Sequence, residues 1–85
     1  MPQYMDYHSM PTLPPEMMQD LVTQIQGGQP DPYGVKVLNR FIGADSQAAW
    51  CLTEAPDADA VCMSHEAIGI PLYENYVTEV NGLAG

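Results

Sequence analysis

Two polar residues near the N-terminus, Asp6 and His8, have side chains that can bind a metal ion. One residue separates them, and residues two apart in a β-strand point to the same side of the sheet. An imidazole nitrogen beside a carboxylate is a mixed ligand pair that suits nickel, zinc or copper. The spacing therefore indicates a candidate metal site whose further ligands stay open. The alternative is a surface pair near a strand end, or a hydrogen bond in a dimer interface.

The second histidine, His65, lies in a segment where Val61, Cys62 and Ile68 recur at helical spacing. One interpretation is a core-facing histidine satisfied by one hydrogen bond. The other is a further metal ligand or an acid–base group, because imidazole titrates near neutral pH. The adjacent Glu66 points about 100° away on a helix, so we expect it in solvent.

The other candidates for chemistry are few. Cys51 and Cys62 are too far apart for a paired-thiolate zinc site, and we expect buried, inert thiols. Lys36 and Arg40 are four apart on a predicted strand, so we expect them on one face, either paired with carboxylates or anchoring an anionic ligand. The chain has no glycine-rich phosphate loop, serine elbow or strong paired-carboxylate pattern, so no catalytic residue is predicted.

Alternating and helical hydrophobic patterns define the elements that must position these residues. The predicted order is strand, helix, strand, strand, helix, strand, at residues 3–9, 14–26, 33–42, 47–54, 57–68 and 72–80. Turn-forming residues separate them, at 10–14, 27–32 and 43–46. We expect one domain over residues 1–85, with a loose tail at 81–85. This order predicts an α+β, ferredoxin-like βαββαβ fold, with a four-stranded antiparallel sheet and both helices on one face.

The first strand has two possible orientations on such a sheet. We expect Met5 and Tyr7 to face the helices, which places Asp6 and His8 on the open face and His65 across the sheet from them. The histidines would then converge only at the end of the sheet, or through a partner subunit. The open face predicts a homodimer of the dimeric α+β barrel type, and pairing of an edge strand across the two-fold axis is the alternative.

Charge and composition exclude several classes of partner. The net charge is −9, from eleven acidic and two basic residues, and such a surface repels nucleic acid and anionic membranes. Divalent cations and basic proteins are better partners. No stretch is long and apolar enough for a membrane helix, and the N-terminus has no signal-peptide pattern, so we expect a cytoplasmic protein.

Three segments together resemble a known family: residues 4–8 (YMDYH), 50–57 (WCLTEAPD) and 65–71 (HEAIGIP). The chain is similar to the small domain-of-unknown-function family numbered four-two-four-two, some of whose members are described as nickel-binding ferredoxin-like dimers. The resemblance implies nickel or another divalent transition metal, bound through Asp6, His8 and His65. Relatives also place a histidine and an aspartate in the first helix. This chain has Asp20 but no histidine there, so a multi-ion site is not carried over.

Three functional hypotheses follow. The first is a non-enzymatic metal-binding protein for sequestration, delivery or sensing. The second is a small dimeric enzyme or ligand-binding subunit that uses His8 or His65 in a cleft, which a deep apolar pocket around a histidine would favour. The third is an interaction module without a small-molecule site.

Overall fold

The computed structural model describes residues 1–9, 15–43 and 48–83. In chain order the elements are β1 (Gln3–Ser9), α1 (Pro15–Gly27), β2 (Lys36–Ile42), β3 (Ala48–Glu54), α2 (Ala58–Ala67), a 3-10 turn (Glu74–Tyr76) and β4 (Val77–Val80). The strands form one antiparallel sheet in the order β2-β3-β1-β4. The predicted ferredoxin-like α+β fold is therefore confirmed. No helix in the described ranges is long and apolar enough to cross a bilayer.

Two strands begin later than predicted. Tyr33 and Val35 precede β2 because their backbone N–H groups donate to the side chain of Asp31, at 2.9 and 3.0 Å, which forms a turn instead of a ladder. The fourth strand was predicted from residue 72, but the 3-10 turn comes first and β4 starts at Val77. The loop predicted at 10–14 and most of that at 43–46 lie outside the described residues, as do the last two residues of the tail.

The predicted orientation of β1 is wrong. Tyr4, Asp6 and His8 are buried on the helix-covered face, and Tyr7 is exposed on the other face. The reason lies in the neighbouring strand, because β1 pairs with β3 so that Asp6 lies opposite Cys51. The residues of β3 on that face are small, namely Ala49, Cys51 and Thr53, and this leaves room for polar side chains beneath the helices.

A register shift in β2 separates the two basic residues. Lys36 lies opposite Glu54. The pairing shifts between Val37 and Asn39, and as a result Arg40 lies opposite Cys51. Residues 54 and 51 point to opposite faces of β3, so Lys36 and Arg40 do not share a face as predicted. Lys36 Nζ lies 4.0 Å from a Glu54 carboxylate oxygen, a partly exposed ion pair. Arg40 is turned to the helix-covered side.

The hydrophobic core lies between α2 and the sheet. Its buried members are Tyr4, Val35, Ala55, Ala60, Val61 and Leu72. Helix α1 contributes no buried residue and packs mainly against β2, on the same side of the sheet as Arg40 and Ile42. Ile68, predicted to belong to the inner stripe of α2, is 54% exposed because the helix ends before it.

Candidate metal centre

Helix α2 is fixed at both ends, and this fixes His65. The side chain of Asp57 caps the first turn by accepting from Ala60 N at 2.8 Å. The last turn closes through Gly69, whose φ of +82° is one that side-chain-bearing residues rarely adopt. Ile70 N then donates to the carbonyl of His65 at 3.0 Å. His65 therefore sits in a closed helical turn.

A third tie joins α2 to the turn before β2. The hydroxyl of Ser64 donates to Asp31 Oδ2, while the other carboxylate oxygen of Asp31 organises that turn. Ser64 directly precedes His65 in the chain. The turn before β2 therefore helps to hold α2 in the position at which His65 lies next to Asp6 of β1.

Both histidines are held in one tautomer by backbone carbonyls. His8 Nδ1 lies 3.0 Å from the carbonyl of Ser9, and His65 Nδ1 lies 2.9 Å from the carbonyl of Val61. Because a carbonyl oxygen can only accept, each Nδ1 must carry the hydrogen. In the neutral form of the ring, Nε2 is then left with a lone pair. This second hydrogen bond is the arrangement that orients histidines that bind metals.

The two lone pairs converge on one carboxylate. His8 Nε2 and His65 Nε2 lie 3.7 and 3.5 Å from the same oxygen, Oδ1 of Asp6. Asp6 is 1% exposed, and within the described ranges neither of its oxygens has a hydrogen-bond partner; nor has His65 Nε2. Buried polar atoms left without partners cost about 1–3 kcal/mol each. The arrangement is therefore incomplete as it stands, and a cation at this point would satisfy all three atoms.

Cys51 completes the group from β3. Its Sγ lies 3.7 Å from His8 Nε2, and the four donor atoms of Asp6, His8, Cys51 and His65 lie within 4.8 Å of one another. We call these residues the buried cluster, since all four are buried. The prediction of an inert core thiol did not include this contact. Arg40 Nη1 approaches the same sulfur at 3.5 Å, which makes the guanidinium the nearest cation.

Burial dominates the ionisation of the cluster. It raises the pKa of Asp6 to about 7, although the positive charge of Arg40 lowers it. It lowers the pKa of His65 to about 4, against the opposing effect of the Val61 carbonyl. It raises the pKa of Cys51 to about 12, again opposed by Arg40. Near neutral pH His65 is thus uncharged, the form in which imidazole binds metals, and Asp6 is present in both its protonated and its ionised form.

The structure brings together all three residues proposed from the sequence as metal ligands. Asp6, His8 and His65 meet within one subunit because β1 has the opposite orientation to the predicted one. The predicted separation across the sheet is therefore wrong. Glu66 is exposed, as expected, and Asp20 is exposed on α1 and does not belong to the cluster. Sequence reasoning missed Cys51 and Arg40, for which the only signal was the register of three strands.

An open cleft of about 300 Å³ borders the cluster on one side, between the end of β1, residues 71–73 and Tyr76. His8 lines this cleft but is only 5% exposed, so its ring forms part of the wall. The cleft does not enclose a histidine in the way that an acid–base site around a bound substrate requires. It brings solvent to the edge of the cluster.

The fold and the buried cluster together define a small ferredoxin-like α+β protein with a candidate site for a divalent transition-metal ion. Comparison with known families gives a match whose description concerns nickel. Residues 4–80 match the family described as nickel responsive protein SCO4226-like, and the chain belongs to that family. The nickel-related resemblance is confirmed, while the family number stays a prediction. No curated protein and no solved structure matches the chain significantly.

Proposed function

We propose that this protein binds nickel or a related divalent transition-metal ion, without enzymatic activity, for sequestration, delivery or sensing. Asp6, His8 and His65 would hold the ion. One observation carries the proposal: two histidines with fixed tautomers aim their Nε2 lone pairs at one buried carboxylate oxygen that has no hydrogen bond among the described residues. The donor types fit, since imidazole and carboxylate are ligands for borderline divalent ions. The family's nickel-responsive description supports nickel as the first ion to test.

Isothermal titration calorimetry of nickel and zinc into untagged protein tests this proposal. We expect His8→Ala and His65→Ala to weaken binding at least about 100-fold, because losing a ligand costs more than losing a supporting hydrogen bond. Glu66→Ala is the matched control, since Glu66 is an exposed acid next to His65 on the same helix. Wild-type affinity no tighter than about millimolar, or equal affinity in wild type and His8→Ala, would refute metal binding at this site.

We further propose that the protein is a homodimer that uses the sheet face opposite the helices. Tyr7, Phe41, Trp50 and Tyr76 are 38–49% exposed, and the Tyr7 ring lies 5.3 Å from Trp50 and 6.2 Å from Tyr76. A two-fold axis would let this aromatic surface pack on its own copy. Light scattering tests it: wild type should be dimeric at tens of micromolar, and Trp50→Glu should be monomeric. A monomeric wild type would refute the dimer.

A reducing compartment such as the cytosol is part of the proposal. Its support is chemical, because both cysteines are free thiols and one of them belongs to the buried cluster. Thiol titration of protein recovered from intact cells under acid quench should find both in the reduced form. A large oxidised fraction would contradict this location.

A further inference from the structure

The sulfur of Cys51 lies where a fourth ligand is needed. Cys51 is fully buried, stands opposite Asp6 in the β1–β3 register, and therefore points to the same side of the sheet. Its Sγ approaches His8 Nε2 at 3.7 Å, on the edge of the ring that faces Asp6. Among the residues that the structure describes, the two oxygens of Asp6 and the Nε2 of His65 have no hydrogen-bond partner, and these are independent signs of a ligand at this point.

We infer that Cys51 binds the ion as a thiolate, and that Arg40 is the positioning residue that holds its sulfur. The inference rests on the proposed metal binding and deepens it. The thiol loses its proton to solvent as the sulfur–metal bond forms, so one proton from Cys51 is released for each ion bound. The ion takes the place of that proton.

Charge balance supports the thiolate. A divalent ion held by the Asp6 carboxylate and the Cys51 thiolate forms a neutral group with two uncharged imidazoles. A neutral group is far less costly to bury than a charged one. With the carboxylate as the only anion, the buried group would keep a net positive charge next to the Arg40 guanidinium.

Arg40 reaches the sulfur because of the register shift in β2. The shift brings Arg40 opposite Cys51, and Nη1 approaches Sγ at 3.5 Å. An N–H group directed at a thiolate orients the sulfur and withdraws electron density from it, as hydrogen bonds to ligands of metal sites do. Arg40 would act on the ion only through Cys51.

These four ligands determine which class of ion the site prefers. Two imidazoles, one carboxylate and one thiolate favour nickel, zinc and cobalt over magnesium, calcium and manganese, which prefer oxygen ligands. The acidic surface alone would attract all of these ions. The sulfur therefore supplies selectivity that charge cannot.

Absorption spectroscopy with Co²⁺ and Ni²⁺ as probes tests the thiolate. We expect wild type to develop a near-ultraviolet thiolate-to-metal charge-transfer band that saturates at one ion per chain. Cys51→Ser should lose the band, while Cys62→Ser, which removes the only other thiol, should keep it. Zinc-edge X-ray absorption of wild type serves as a check that needs no variant, and should show one sulfur neighbour at about 2.3 Å.

Arg40 is tested by the energy of the same band. Arg40→Gln should move the band to longer wavelength, because the thiolate lone pairs lose the N–H group that stabilises them. Arg40→Lys should move it less. A band that does not shift in Arg40→Gln would refute the role of Arg40 and leave that of Cys51 standing.

The outcomes separate this inference from the proposed function. Metal binding that depends on His8 but shows no charge-transfer band and no sulfur neighbour would overturn the thiolate ligand and leave the metal site intact. A band that persists in Cys51→Ser would also overturn it. No binding of any ion in calorimetry would overturn both.

Discussion

Replacing Asp6 by asparagine should stabilise the metal-free protein while removing its affinity for metal. The carboxylate is buried without a hydrogen bond among the described residues, and burial raises its pKa from 3.8 to about 7. The folded protein therefore binds the Asp6 proton more tightly than the unfolded chain does. Between these two pH values the stability falls as pH rises, and above about pH 7 the loss is complete. Asparagine has nearly the same shape and no charge to bury.

The magnitude follows from the pKa interval. Each pH unit between the folded and unfolded values is worth about 1.4 kcal/mol, so ionised Asp6 destabilises the fold by on the order of 4 kcal/mol above neutrality. At about pH 5 most of this destabilisation is absent. We therefore expect the difference in free energy of unfolding between Asp6→Asn and wild type to be about 3 kcal/mol larger, in favour of the variant, at about pH 8 than at about pH 5. Groups facing Asp6 are His8 on its own strand, Cys51 on β3, Arg40 on β2 and His65 on α2.

Urea unfolding in the presence of a chelator measures this difference. Wild type and Asp6→Asn are compared at each pH, so that contributions common to both cancel. The same samples without chelator, titrated with nickel, should show that only wild type gains stability from the metal. If Asp6→Asn is less stable than wild type at about pH 8, or if the difference does not change with pH, the argument that ionised Asp6 destabilises the fold is refuted.

Three further predictions concern the same elements. As the pH falls from about 7 to 4.5, the free energy of unfolding of His65→Gln should rise by on the order of 3 kcal/mol relative to that of wild type. Burial lowers the pKa of His65 to about 4, so the unfolded chain binds the proton first and wild type loses stability. A difference in urea unfolding that does not change with pH would contradict this prediction. Asp57→Ala should lower the free energy of unfolding by about 1 kcal/mol, because α2 loses its cap, whereas Asp57→Asn should stay close to wild type. An equal loss in both variants would show that the cap hydrogen bond is not the cause. Nickel at about 100 times its dissociation constant should stabilise wild type by about 2.7 kcal/mol in thermal or urea unfolding. Magnesium is the control ion, and equal stabilisation by both ions would contradict a selective site.

Local signals in the sequence were sufficient for most of the fold. The span of β1 and the order of the elements follow from alternation and helical spacing, each of which depends on residues a few positions apart. The start of β4 did not follow, because residues 72–76 alternate as a strand would and still form an irregular segment and a 3-10 turn. The start of β2 was missed because a side chain, Asp31, takes the backbone hydrogen bonds there.

The sequence by itself determined that Asp6 and His8 share a side, because the period of a strand is two residues. It did not determine which side, since both faces of β1 carry aromatic residues and the burial of each depends on what packs against it. That choice was made by the small residues of β3 and by the position of α2, which brings His65 to Asp6. Cys51 and Arg40 joined them through strand pairing and a register shift, and these are contacts between residues far apart in the chain that no local pattern encodes.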